Sequence, residues 1–171
     1  MDAPPRQFVS PRQSVAAWLA TGLSVSVGVP APGTIGALWG VPIWLAIAQI
    51  PSHAGQLATI AGLIVLGGPL CTRAAKDLVR LGLAKDTKDP QAITWDEFMT
   101  VPLVYAFAPG ACLCVTWLIA GFALHRLFDI TKPWPCKRLE HLPNGWGVMA
   151  DDVAAAIYAG VCYRLLWVWM G

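Results

Sequence analysis

Charge is what this chain has least of: 13% of its 171 residues are charged, 56% are hydrophobic, and the net charge is only +2. With no dense Lys/Arg run interleaved with aromatics, that balance excludes nucleic acid as a partner. Period-2 alternation of apolar and polar residues is nearly absent, which argues against half-buried strands. The five cysteines (Cys71, Cys112, Cys114, Cys136, Cys162) form no CxxC pair and no Cys/His spacing that suits zinc. Four lie in or beside apolar segments, so they read as small buried hydrophobes in a chain with at least one face in a reducing compartment. Met1 to Ser14 lacks a basic region followed by an apolar stretch, as a signal peptide would have, and reads as a flexible tail. No cysteine has an arginine six positions later, no Asp-x-Asp nucleophile motif occurs, and no Walker-type phosphate loop is present.

What the chain does have is grease. Mean hydropathy is +0.56 and nine tryptophans are present, values normal for a membrane or membrane-edge protein. Ala, Leu and Trp dominate the apolar runs, which predicts an all-α chain: a compact bundle of about six helices, several strongly apolar. Several runs are shorter than the roughly 20 residues that cross a bilayer. Residues 15–171 are expected to form a single domain after the tail at 1–14. The turn at Pro51-Ser52-His53-Ala54-Gly55 has no Lys or Arg. Thr72–Thr94 carries Arg73, Lys76, Arg80, Lys85 and Lys88, and His125–Asp152 carries Arg126, Lys132, Lys137 and Arg138. The positive-inside rule puts both basic stretches in the cytoplasm, provided Phe98–Leu124 goes in and folds back at Pro109-Gly110.

Against this background the few acids stand out, above all Asp151-Asp152 beside a long apolar segment. A desolvated carboxylate costs several kcal/mol unless a cation or donors compensate. Asp89, Asp96-Glu97 and Asp129 are the other acids of interest, and together they suggest a hard-cation site at the edge of the bundle. Acids in a first helical turn also simply suit the helix dipole. At helical spacing Asp129 and Lys132 share a face, with Arg126 three residues before Asp129; this is either a solvated ion pair or a grip on phosphate. Pro133 and Pro135 end that helix. In Ala31-Pro32-Gly33-Thr34-Ile35-Gly36, Gly33 offers unusual backbone angles and Thr34 offers a helix cap; the start is an ordinary cap or an anion site. Asn144-Gly145-Trp146-Gly147 reads as a flexible loop before the aspartate pair. An intramembrane cation or proton pathway is the competing reading, but it predicts acids within apolar segments, and these lie at segment ends.

In order along the chain, Ala-Pro-Gly-Thr-Ile-Gly (31–36), Ala-Lys-Asp (75–77), Ile-Thr-Trp-Asp-Glu-Phe (93–98), Gly-Phe-Ala-Leu-His-Arg-Leu-Phe-Asp-Ile-Thr-Lys-Pro-Trp-Pro (121–135) and Gly-Val-Met-Ala-Asp-Asp-Val (147–153) resemble the phosphatidylglycerophosphatase A family. The resemblance implies an all-helical enzyme of the bacterial inner membrane, with its active site on the cytoplasmic face. It implies Mg²⁺-dependent removal of the terminal phosphate of phosphatidylglycerophosphate, a phospholipid substrate and no obligate protein partner. By the same resemblance Asp96, Glu97, Asp129, Asp151 and Asp152 are the metal-site carboxylates. Asp129, Asp151, Asp152 and Lys132 are the catalytic set, and Gly33, Thr34, Arg126 and Lys132 are the phosphate-binding set. The sequence departs from the family pattern at Met99-Thr100-Val101-Pro102, at Asn144 and at Ala156, and none of these departures removes a candidate ligand.

Overall fold

The computed structural model describes residues 8–87, 91–108, 114–143 and 145–170. Asp89-Pro90, Pro109-Gly110, Cys112 and Asn144 lie outside the described residues. The described chain is all-helical, as expected: α1 (Val15–Ala20), α2 (Pro32–Ala37), α3 (Gly40–Ile47), α4 (His53–Arg80), α5 (Trp95–Ala106), α6 (Val115–Thr131), α7 (Cys136–Leu139) and α8 (Gly145–Met170).

Two long helices, α4 and α8, set the axis. Ser52 caps α4 by accepting from the Gly55 N–H, which satisfies one of the orphan donors of a helix start. α4 then runs through the sequence boundary at Thr72, so Arg73, Lys76 and Arg80 extend an apolar helix instead of starting a polar loop. α8 runs back along it. Its first residue, Gly145, lies where a Cβ would come within 2.5 Å of the Gly68 carbonyl oxygen and 2.8 Å of the Thr72 nitrogen. Only glycine permits that approach, and the Thr72 hydroxyl accepts from the Gly145 N–H at 3.0 Å. Gly145 to Gly147 therefore form the first turn of α8, not the loop expected from their composition. Farther along, Met149 fills the space over Gly67. Both helices are long and apolar enough to cross a membrane.

The core lies between α8 and α3, α5 and α6. Trp44, Tyr105, Tyr163, Trp117 and Trp167 form a chain of ring contacts, with centroids 5.2–5.9 Å apart and mostly edge-on. Edge-on geometry suits the ring quadrupoles, adding roughly 0.5–1.5 kcal/mol per pair beyond area burial. A second apolar cluster joins α1 to α4 through Ala17, Ala20, Ala74 and Leu78. Exposed apolar side chains crowd the far part of α8, including Leu165, Val168 and Trp169, and recur on α4 at Val65 and Leu66.

Two expectations need correction here. Residues 8–14 are not a free tail: Val9 is buried and exchanges hydrogen bonds with the Ser24 hydroxyl, while Ser14 caps α1 and donates to Asp77 at 2.7 Å. Among the cysteines, Cys71 and Cys136 are buried, but Cys114 is exposed because it precedes the first turn of α6, outside the packed faces.

Candidate active site

α5 begins with an acidic turn, and α6 ends with Arg126, Asp129 and Lys132. Both ends face the start of α8 and the short helix α2. Between them is a cavity of about 450 Å³, lined by Gly33, Thr34, Asp96, Glu97, Arg126, Asp129, Lys132, Glu140, Asp151 and Asp152, among others. All nine residues proposed for the site from sequence therefore meet in one place. The cavity is lined by the N-terminal part of α8, whose first residue, Gly145, packs against Gly68 and Thr72 of α4, just before Arg73, Lys76 and Arg80.

Six carboxyl groups face two cationic side chains in this cavity. Arg126 Nη1 lies 2.6 Å from Asp129 Oδ2 and 3.2 Å from Glu97 Oε1, so one guanidinium ties the end of α6 to the start of α5. The i, i+3 spacing of Arg126 and Asp129 makes the first contact local; the second is tertiary. Lys132 behaves differently from its expected place on the Asp129 face. It is the left-handed cap of α6 (φ 42°), with Pro133 next, so its side chain leaves the α6 face. Its Nζ reaches Asp151 Oδ2 at 2.6 Å and Glu140 Oε1 at 3.4 Å. Burial alone would lower the pKa of the Lys132 ammonium, but the Asp151 hydrogen bond and charge, with Glu140 and Asp152, hold it above the ordinary lysine value. It therefore stays cationic.

Asp151 and Asp152 are each 3% exposed, two turns inside α8. Asp151 Oδ1 and Asp152 Oδ2 have no hydrogen-bond partner among the described residues. Buried acceptors in that condition cost free energy unless a cation or water meets them. No group of three acid, histidine or cysteine side chains among the described residues is closed into a ready chelate. Arg126 and Lys132 stand between the carboxylates instead.

α2 contributes differently from its sequence reading. Pro32 opens it, after Ala31 in the left-handed region (φ 52°), so Thr34 lies within the helix and caps nothing. Proline suits this first position because its fixed φ is helical and its missing N–H is not needed there. Thr34 lines the cavity with an exposed side chain. Gly33 does not have a positive φ; it is needed for closeness, since a Cβ there would collide with Glu97 Oε1.

Behind the cavity, His125 is fully buried on α6, and burial pushes it down to about 4 despite the pull of Asp129. The Thr100 hydroxyl lies 2.9 Å from His125 Nε2 and donates to the Asp96 carbonyl at 2.7 Å. With its own proton so placed, Thr100 accepts from Nε2–H, which ties α6 to the acidic turn of α5. Sequence reasoning passes over His125, Thr100 and Glu140. A histidine within an apolar stretch and a lone acid among bases carry no spacing signal that would single them out.

Residues 18–167 match the family Phosphatidylglycerophosphatase A. The chain is 37% identical to phosphatidylglycerophosphatase A of Haemophilus influenzae, over 89% of this chain and 88% of that one. It is 33% identical to the Escherichia coli protein of the same name, over 85% of this chain and 80% of that one. A relative from Bacteroides thetaiotaomicron, 34% identical over 82% of this chain and 86% of its own, is named, provisionally, as a phosphatidylinositol-3-phosphatase. No solved structure matches the chain. The ordered motifs, the cavity they build and a match over most of the length agree: the chain belongs to the phosphatidylglycerophosphatase A family.

Proposed function

We propose that this enzyme hydrolyses the terminal phosphomonoester of phosphatidylglycerophosphate, giving phosphatidylglycerol and phosphate, with Mg²⁺ bound among the cavity carboxylates. The observation that carries the reading is the charge imbalance: six carboxyl groups around two cations, with Asp151 Oδ1 and Asp152 Oδ2 buried and unpaired. A phosphate dianion would be repelled there unless further positive charge entered with it. Hard carboxylate oxygens suit Mg²⁺, which commonly keeps several waters and takes only one or two protein carboxylates together with substrate phosphate. The lack of a closed three-ligand cluster is therefore compatible with the donor set. Asp151 and Asp152 are the leading ligands, with Asp96 beside them. Glu97 and Asp129 are candidate ligands too, although both contact Arg126.

A bound Mg²⁺ would neutralise charge on the phosphoryl oxygens and make a coordinated water more acidic. The chain supplies the rest. Arg126 is held by two carboxylates and Lys132 by Asp151, so both cations are oriented before substrate arrives. Thr34 of α2 also lines the cavity and offers a hydroxyl, and Gly33 leaves room for Glu97. A buried carboxylate at Asp151 or Asp152 can take a proton from water or attack phosphorus itself, and both routes use the same cavity.

The site lies where α8 begins, near Arg73, Lys76 and Arg80 of α4 and after Lys137 and Arg138, which supports a bacterial inner-membrane enzyme with its cavity on the cytoplasmic face. Lipid tails then stay beside exposed residues such as Val65 and Leu165 while the head group reaches the cavity.

The test is phosphate release from phosphatidylglycerophosphate and from phosphatidylinositol 3-phosphate in detergent micelles, before and after EDTA, together with calorimetric titration of Mg²⁺ into the protein. The expected result is release from phosphatidylglycerophosphate that EDTA abolishes and Mg²⁺ restores, and that Asp151→Asn and Asp129→Asn lose. Full EDTA-resistant activity, or full activity in both variants, would overturn the proposal. Preference for the inositol lipid would reassign the head group and keep the chemistry.

A further inference from the structure

Glu140 belongs to none of the residue sets that the sequence motifs supply, yet its carboxylate lies in the cavity 3.4 Å from Lys132 Nζ. We propose that Glu140 is a built-in competitor for phosphate: it is the outward counter-ion of Lys132 in the empty site, yields to the incoming phosphomonoester, and reclaims Lys132 as inorganic phosphate leaves. This rests on the reading of Lys132 as a phosphate-binding cation.

The two partners of Lys132 are unequal. Asp151 is 3% exposed and holds Nζ at 2.6 Å, a short charge-assisted hydrogen bond on the buried side. The Glu140 side chain is 45% exposed and sits at the long end of ion-pair range. A half-exposed pair of that kind adds little stability. Its backbone is nevertheless fixed. The Glu140 carbonyl lies so near α8 that a Cβ on Gly147 would come within 2.6 Å of it, so the backbone that carries the carboxylate is wedged against the start of that helix. The backbone is thus anchored beside the cavity, while the half-exposed carboxylate it carries can reach Lys132 and swing away from it.

Both carboxylates line the cavity, but Asp151 is the buried partner of Nζ and Glu140 the half-exposed one, so the more accessible approach for a phosphate oxygen is the one that Glu140 flanks. The ammonium has three N–H donors and could contact both anions at once. A phosphate dianion and a carboxylate on adjacent N–H groups repel each other, however, so one weakens the other. Glu140 would then raise the phosphate concentration needed to fill the site and speed product departure, a step that often limits turnover.

The experiment compares wild type with Glu140→Gln and Glu140→Ala in saturating Mg²⁺. It measures kcat and KM on phosphatidylglycerophosphate, the inhibition constant of inorganic phosphate, and the shift in melting temperature that phosphate produces. Removing a half-exposed counter-ion should tighten phosphate inhibition and lower KM about 1.5- to 5-fold, with a larger phosphate-induced melting shift and kcat no higher than wild type. Phosphate binding unchanged or weaker in both variants overturns the role. A tenfold fall in kcat with a raised Mg²⁺ requirement also overturns it, by making Glu140 a metal ligand. A wild type that neither releases phosphate nor is stabilised by it overturns the phosphatase reading, and this inference with it. A wild type that does both, beside variants that bind phosphate no tighter, overturns the role of Glu140 alone.

Discussion

Gly33→Ala separates site geometry from fold stability. The added methyl would lie 2.8 Å from Glu97 Cδ and Oε2 and closer still to Oε1. Those atoms are the end of a flexible side chain, so Glu97 can swing aside, at about 0.5–1.5 kcal/mol for an off-rotamer torsion. Alanine is favoured over glycine inside a helix by roughly 0.5–1 kcal/mol, and Gly33 lies inside α2. The two terms nearly cancel, so the melting temperature should hardly move. Glu97 Oε1, though, is the atom 3.2 Å from Arg126 Nη1. Once it moves, Arg126 loses that contact, keeps the one to Asp129 and is freer to tilt. A misplacement of about 1 Å in a charge-positioning group can cost on the order of 100-fold in rate. The expected outcome is a fall of about 10- to 100-fold in kcat/KM for phosphate release, with an unchanged melt. Glu97→Asp in the same protein shortens the side chain and should recover part of the loss. Full activity in Gly33→Ala would refute the claim that closeness to Glu97 is why glycine stands there. So would a loss of activity that merely tracks a lower melting temperature.

Two further outcomes follow from buried charge. Lys132→Met leaves Asp151, 3% exposed, without its cation, and breaking a buried pair from one side costs about 3 kcal/mol or more; denaturant titration should show that loss together with a large rise in KM, and a stable variant with wild-type KM would contradict both roles. His125 is pushed down to about 4 by burial, against an unfolded value near 6.5. Above pH 6.5 neither state is protonated and the group contributes nothing to the pH dependence. As pH falls from 6.5 to 4 the unfolded chain takes up a proton that the folded chain refuses, so stability declines by about 3 kcal/mol over that window. His125→Phe should flatten the fall; identical pH slopes for wild type and variant would show that His125 does not titrate as described.

The acids of this site could be found from sequence because charge is scarce here. In a chain with 13% charged residues, carboxylates at the ends of apolar runs need a reason, and Asp96, Glu97, Asp129, Asp151 and Asp152 do converge. The Arg126–Asp129 contact was equally legible, since i, i+3 neighbours on a helix face each other whatever surrounds them. The same spacing rule fails for Lys132, because the helix ends in a left-handed residue ahead of Pro133 and the side chain crosses to α8. Thr34 fails as a cap because Pro32 already starts the helix two residues earlier. Gly33 is explained by Glu97, sixty-four positions away, and no local rule contains that distance. Glu140 has no sequence signal at all: it stands near Lys137 and Arg138 outside every motif, and its place beside Lys132 depends on a backbone packed against Gly147 of α8. Which residue types meet at the site thus follows from the cost of burying charge, which composition reveals. Which partner each one takes follows from helix ends and close approaches between helices. The division of labour between the aspartates belongs to the second kind: Asp151 differs from Asp152 because the cap of α6 delivers an ammonium to one of them and not the other.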